Sequence, residues 1–399
     1  ADHKIEYVFF ADANFGIFKS RDSEITNKLI QIVKSTGYPR TINIQWAKNS
    51  NKNIVDLASR VGFIQKGITL SVQSMSENVL SAIERRNMAV SNLSDILREC
   101  NKASIPSYTE LILGLPLETF SSWKDGWHKL LDLGQHCSIE VWLAQTLENS
   151  LLNDPEERSK YGIKTINAKG YFFGISDSAD PIETKIPEEI ALITETSTLP
   201  FEDLIESYMF SWMMTNFHCF GWTQLISRFL RIQNDFSYKC FYEALFDFIR
   251  NQNESKLIFD QYNITKKRIT KYLNHGDIDI NLRNELGFEM KFVGHNLIYA
   301  SQMVFRHHHQ QIFQELRKFF YEITTDISSQ LQNDLIYCQR KWIIVPGQKY
   351  PETIQVESNI FDYTLREANQ ESGKMFYELN YVKELLDYLP DISELSKID

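Results

Sequence analysis

Glycine and proline are scarce in this 399-residue chain, at 16 and 10 residues. That excludes collagen-like, linker and low-complexity architectures. Positive charge is in deficit: 42 Lys and Arg face 52 Asp and Glu, a formal net charge of −10. This argues against a broad electrostatic grip on nucleic acid and leaves room only for a local basic groove. The most apolar stretch, Tyr208 to Trp222, is broken by Ser211, Asn216 and His218, so no membrane span is expected. Cysteine is sparse too. Cys100, Cys137, Cys219, Cys240 and Cys338 show no close spacing of a zinc or iron–sulfur clamp, and no metal-ligating residue is assigned. Their odd number fits reduced thiols in the cytoplasm, where they read as small buried hydrophobes. The chain opens with Ala1 and a charged segment through Glu6, so no signal peptide is expected. Ser71 has no recognisable His partner or nucleophile elbow, and no Walker or Rossmann phosphate loop occurs.

What is present is apolar surface: 43% hydrophobic and 13% aromatic residues, enough for two domains with their own cores. Residues 1–150 alternate β-rich runs (Tyr7–Ala11, Thr41–Trp46, Gly67–Gln73, Tyr108–Leu113, Ser138–Leu143) with helical stretches, at the spacing of βαβ units. Asp22 is a plausible N-cap for the first helix, whose Ile25, Leu29, Ile32 and Val33 recur at helical spacing. Thr119 caps a later helix that Gly134 ends. The pattern predicts an α/β parallel sheet wrapped by helices, either a barrel or an open doubly wound sheet. Residues 151–200 read as a connecting segment with little regular structure. Residues 201–399 read as a mainly helical domain (near 201–232, 236–251 and 293–335), with a small β element at Trp342–Val345 and Met375–Tyr377 and a short acidic tail.

The strand faces carry the functional signal. Ile42, Ile44 and Trp46 oppose Asn43 and Gln45; Ile68, Leu70 and Val72 oppose Thr69, Ser71 and Gln73; Glu110 shares a face with Tyr108 and Ile112. Parallel strands covered on both faces normally read as continuous apolar runs. Burying these polar groups without partners costs about 1–3 kcal/mol each, so the face is expected to border a wet or ligand-filled cavity. The alternative is a self-satisfied internal hydrogen-bond network. Asp12, Asn14, Gln45, Gln73 and the Gly114–Glu118 loop fall at the strands' carboxyl ends, where α/β barrels gather ligand groups. Gly114 is expected to let a ligand approach the backbone.

Together Phe9-Phe10-Ala11-Asp12-Ala13-Asn14-Phe15-Gly16, Leu70-Ser71-Val72-Gln73-Ser74, Arg85-Arg86-Asn87 and Glu110-Leu-Ile-Leu-Gly-Leu-Pro-Leu-Glu-Thr119 resemble the radical S-adenosylmethionine (radical SAM) superfamily. More narrowly, with Asn43-Ile-Gln-Trp-Ala-Lys48 and Gly134-Gln-His-Cys137, the chain is similar to its cobalamin-binding-domain class. The resemblance covers about residues 5–165. It implies a TIM-like partial (β/α) barrel, here without its first strand. It also implies an iron–sulfur (4Fe–4S) cluster that cleaves SAM, a 5′-deoxyadenosyl radical that takes hydrogen from a small-molecule substrate, a cobalamin association and an electron donor. By position, Gln73 and Glu110 would contact the ribose or methionine part of SAM, with Asn43 or Gln45 beside them. The backbone around Ile112–Gly114 would pack on adenine. Asp12, Asn14 and Lys48 would line the substrate or radical side.

The chain lacks both the family's Cys-x3-Cys-x2-Cys cluster loop and the cobalamin-binding Asp-x-His-x-x-Gly loop. Two explanations stand: a fragment of a longer enzyme, inactive alone, or a cluster-free, non-catalytic barrel that binds a nucleoside-like ligand or a protein partner. Elsewhere, His307-His308-His309 reads as a solvated helical face, since adjacent helical side chains splay apart. His128 and His136 read as structural.

Overall fold

Of the five β runs expected in the first 150 residues, all five are strands. The computed structural model describes residues 3–47, 52–65, 67–88, 90–102, 105–169, 189–251, 256–276, 281–283, 289–291, 297–343, 345, 352–366 and 368–379. The strands are β1 (Tyr7–Phe15), β2 (Thr41–Trp46), β3 (Ile68–Gln73), β4 (Ser107–Leu113) and β5 (Ser138–Leu143). Helices α1 (Lys19–Thr36) and α2 (Lys52–Val61) flank β2 in sequence. Then come α3 (Glu77–Ala82), α4 (Val90–Lys102) and α5 (Phe120–Asp132). The β1–β2 pair and the β3–β4–β5 trio are each parallel. One bridge, Ile42 to Gln65, carries β2 toward the segment that enters β3. The chain is therefore mixed α/β at this end, as the alternation predicts.

Local chemistry explains the helix boundaries. Thr119 is the N-cap of α5, in a reciprocal box with Ser122. Asp22 is not the N-cap of α1: Phe18 holds that position, and Asp22 lies in the first turn. Its fully buried carboxylate accepts from Gly16 N at 2.8 Å and Phe18 N at 3.0 Å, capping the helix from inside. Gly67 is needed where β3 begins: its φ is +131°, and a Cβ there would meet the Pro106 carbonyl oxygen at 2.4 Å.

The described residues of the expected connecting segment 151–200 depart from expectation, because they hold regular structure. β6 (Gln145–Thr146), β7 (Lys164–Lys169) and β8 (Glu189–Glu195) form an antiparallel trio with β8 in the middle, and helix α6 (Pro155–Tyr161) precedes β7. Ile193 N donates to Ala144 O at 2.8 Å, which fastens this trio to the end of β5.

The remaining described helices are α7 (Phe201–Met213), α8 (Gln224–Asn234), α9 (Tyr238–Arg250), α10 (Lys256–His275), and, after the short strands β9 (Asn281–Arg283) and β10 (Glu289–Lys291), α11 (Leu297–His307), α12 (His309–Ile323) and α13 (Ser329–Trp342). Strands β11 (Glu352–Ser358) and β12 (Ser372–Leu379) pair antiparallel around α14 (Ile360–Arg366). Trp342 ends a helix and Ile343 is its C-cap, so these two residues are not the start of the β element expected, and Ile344 lies outside the described residues. The acidic tail lies outside the described residues. The aromatic stretch Tyr208–Trp222 is core: every residue in it is buried, and it runs from helix through a π-helical turn at Met214–Cys219 into a tight turn. His307 and His309 fall on either side of the α11–α12 joint, with His307 exposed.

One hydrophobic cluster runs from Phe15 and Ile44 through Trp127 to Phe210 and Phe305 without a break. Trp123 of α5 adds a polar tie, donating Nε1–H to Ser207 O at 3.0 Å and Ser211 Oγ at 2.9 Å on α7. Trp123→Phe keeps most of the apolar volume and removes both bonds, while Ser211 Oγ and Ser207 O keep their mutual bond at 2.8 Å. It should cost about 1–2 kcal/mol in urea unfolding; an unchanged midpoint would mean that packing alone joins α5 to α7.

Candidate functional site

The strands facing the helices bury Ile42, Ile44, Ile68, Leu70, Leu111 and Val141. By alternation, their other face carries Asn43 and Gln45 on β2, Ser71 and Gln73 on β3, Glu110 and Ile112 on β4, and Glu140 and Trp142 on β5. None of these eight is fully buried. The polar face therefore stays open instead of closing into a dry interior.

Gln73, Glu110 and Ile112 line one cavity of about 600 Å³, together with Ser71 and Trp142. Gln73 sits in the left-handed region at φ 61°, at a register shift between β3 and β4. That backbone turn is held from behind. Ser74 Oγ donates to Glu118 at 3.1 Å, and Asn87 Nδ2 donates to Ser74 O at 2.9 Å. Ser122 also donates to Glu118, whose carboxyl burial pushes upward. Glu118 is thus a brace between the end of β3 and the cap of α5. Ser71 donates its hydroxyl to Glu110, and Arg85 donates to Ser71 O at 3.0 Å. Burial lowers the Arg85 guanidinium, against the opposing pull of Glu110.

The other sequence candidates lie elsewhere. Asn43 is half-buried and Gln45 exposed on β2, outside the lining of this cavity. Asp12 pairs with Arg21 at 2.8 Å. Neither the Asn14 side chain nor Lys48 is among the described parts of the chain. Gly114 is buried, with φ +102°, and a Cβ on it would meet Ala144 Cβ at 3.4 Å and Leu204 Cδ1 at 3.5 Å. It turns the chain after β4 and lies against Ala144, which itself lines the cavity.

Sequence reasoning missed Glu140, Trp142 and the Arg85 contact. Glu140 is directly opposite Glu110 in the parallel register of β4 and β5. Burial first, and the Glu110 charge second, push the Glu140 carboxyl up to about 7. The same face test applied to Ser138, Glu140 and Trp142 would have found it.

Two histidines expected to be structural are so placed. His136 Nδ1 lies 3.1 Å from His218 Nε2, and His218 Nδ1 bonds the Tyr242 hydroxyl inside the helical core. Burial holds His136 well below its ordinary range and His218 at about 3. His128 is buried against Phe210 with both ring nitrogens unpartnered, and burial lowers it to about 4.

Among the described residues, no three His, Cys, Asp or Glu side chains converge to hold a metal ion. No described helix is long and apolar enough to cross a membrane.

The chain is similar in sequence to cobalamin-dependent radical SAM methyltransferases. It is 34% identical over 259 residues to the cobalamin-dependent radical SAM methyltransferase TokK of Streptomyces tokunonensis, covering 64% of this chain and 37% of TokK. It is also 34% identical over 247 residues to 2-(S-pantetheinyl)-carbapenam-3-carboxylate methyltransferase of Streptantibioticus cattleyicolor, covering 61% of this chain and 35% of that enzyme. The chain thus spans little more than a third of the length of these relatives. No family model matches it. Among solved structures, the radical SAM methyltransferase TsrM of Kitasatospora setae, with cobalamin and a [4Fe-4S] cluster bound, aligns at TM-score 0.36 and 11% identity over 52% of this chain and 43% of TsrM. The radical SAM enzyme HemN of Escherichia coli aligns at 0.26 and 17% over 31% of this chain and 28% of HemN. Likeness at those scores supports no argument about the site.

Proposed function

We propose that residues 1–150 are a partial radical SAM barrel and that its open inner face holds SAM, in a cobalamin-associated methyltransferase acting on a small molecule. The observation that carries this is the 600 Å³ cavity bounded by Gln73, Glu110 and Ile112, the residues the motifs single out. Ribose hydroxyls are donors that suit a carboxylate and an amide, which Glu110 and Gln73 supply; adenine suits the flat apolar wall of Ile112. Bound SAM would supply the radical; this chain's residues bind and orient it. Asp12, Asn14 and Lys48 are proposed for the substrate side, and Asn43 and Gln45 for the margin of the SAM site. The segment 151–200 would connect to the helical residues 201–399, which shape the substrate side. A cytoplasmic setting and an electron donor complete the proposal.

The donors here do not fit the iron–sulfur cluster or cobalamin. The five cysteines include no Cys-x3-Cys-x2-Cys, and no step is assigned to either group on this chain. We infer that a longer polypeptide supplies both, and that this chain alone does not cleave SAM. The same mismatch favours a second reading, a cluster-free barrel that binds a nucleoside-like ligand or a protein partner. Coding DNA upstream of Ala1 separates them. An in-frame Cys-x3-Cys-x2-Cys is expected, and the longer protein, reconstituted anaerobically, should release 5′-deoxyadenosine from SAM. A stop codon or a cysteine-free lead would favour the second reading.

A further inference from the structure

Glu140 has no role in the function argued so far, yet it stands next to the carboxylate that does. Neighbouring strands run about 4.8 Å apart, and Glu110 and Glu140 are register partners on one face of β4 and β5. From β4, Tyr108 and Glu110 face Glu140, and Tyr7 of β1 is the further titratable group that Tyr108 senses. From β3, Ser71 donates to Glu110, and Arg85 approaches Glu110 rather than Glu140. Among the described residues, no Lys, Arg or His forms an ion pair with either glutamate. Two half-buried carboxyls side by side, with the Arg85 charge reaching only Glu110, resist carrying two charges, so one proton is retained between them.

We propose that Glu140 is a positioning residue that keeps one proton for the pair at neutral pH, leaving Glu110 as the single anion at the base of the cavity, and that binding of a neutral, hydroxyl-bearing guest is coupled to that proton. The proposal rests on the reading of the cavity as a nucleoside site. The burial behind it and its upward-shifted carboxyl point the same way. A guest that displaces water from the cavity makes a second charge costlier, so its affinity should be highest while Glu140 is protonated. Ionisation at higher pH sets a second anion beside Glu110 and opposes the guest.

The test is calorimetric titration of adenosine into the full chain at pH 6.0 and 8.5. Wild type should bind about tenfold more weakly at pH 8.5, which is about one pH unit of linkage, with net proton uptake at neutral pH. Glu140→Gln keeps the shape and hydrogen-bonding capacity without the titration, so its affinity should match wild type at pH 6.0 and stay there at 8.5. A purely structural Glu140 would shift affinity equally at both pH values. PH-independent binding by wild type, or equal pH dependence in Glu140→Gln, would overturn the proposal. A second readout does not need the guest. Infrared titration should show a protonated carboxyl band that disappears between pH 6 and 8 in wild type and is missing in Glu140→Gln; without that difference the proposal fails. Adenosine binding in neither protein, with the infrared difference intact, would instead sink the nucleoside reading and leave the proton pair standing.

Discussion

His128→Leu should make the protein more stable, by about 1 kcal/mol at pH 7.5 and about 3 kcal/mol at pH 4.5. The wild-type ring is buried against Phe210, and neither nitrogen has a partner. Leucine removes two unsatisfied polar atoms at little change in volume. The pH dependence follows from burial, which lowers the imidazole to about 4 from an ordinary 6.5. Below 6.5 the unfolded chain binds a proton that the folded chain refuses, so stability falls as pH drops from 6.5 toward 4. His218, lowered to about 3, and His136 act in the same direction. Glu140 acts oppositely. Its carboxyl is raised to about 7, so the folded state binds the extra proton and stability rises as pH falls from 7 toward 4.5. Urea midpoints of wild type and His128→Leu at the two pH values isolate the histidine share. A gap between the two proteins that does not widen in acid would contradict the buried, neutral ring.

Glu110→Ala should weaken SAM binding about 10- to 100-fold, and Gln73→Ala about 5- to 10-fold, without unfolding the protein. A charge-assisted hydrogen bond contributes about 1.5–3 kcal/mol and a neutral one about 1 kcal/mol. Both side chains are only half-buried and line the cavity, so truncation leaves no large void in the core. Glu110 should matter more because Ser71, steadied by Arg85, already orients its carboxylate. The loss is read by equilibrium titration beside a thermal melt. A variant that melts normally and binds as wild type would remove that residue from the site.

The parallel strands were legible because each writes its two faces as alternating letters, as in Ile68-Thr69-Leu70-Ser71. What alternation could not convey was which residues the chain would brace from afar. Glu118 reads as an ordinary acid after a proline turn, and only the fold brings Ser74 and Ser122 to it. Gln73 was picked out by type and motif, but its left-handed backbone depends on that brace. A glycine at a strand end suits either a ligand or a packed helix, and alternation could not show that Leu204 of α7 lies beside Gly114. β7 and β8 escaped notice because they pair across nearly twenty intervening residues, a non-local partnership that no short hairpin turn announces. Asp22 was recognised for its chemistry but placed one turn early, since it caps backward toward Gly16.

The central claim is that the polar inner face takes a small guest, and isoleucine methyl NMR reads it most directly. Ile112 borders the cavity, whereas Ile139 is buried on the opposite face of the neighbouring strand. On addition of SAM to the chain, the Ile112 δ-methyl resonance should move saturably while that of Ile139 stays in place. A still Ile112 at millimolar SAM, or movement confined to Ile139 and the helix-facing core, would contradict the account.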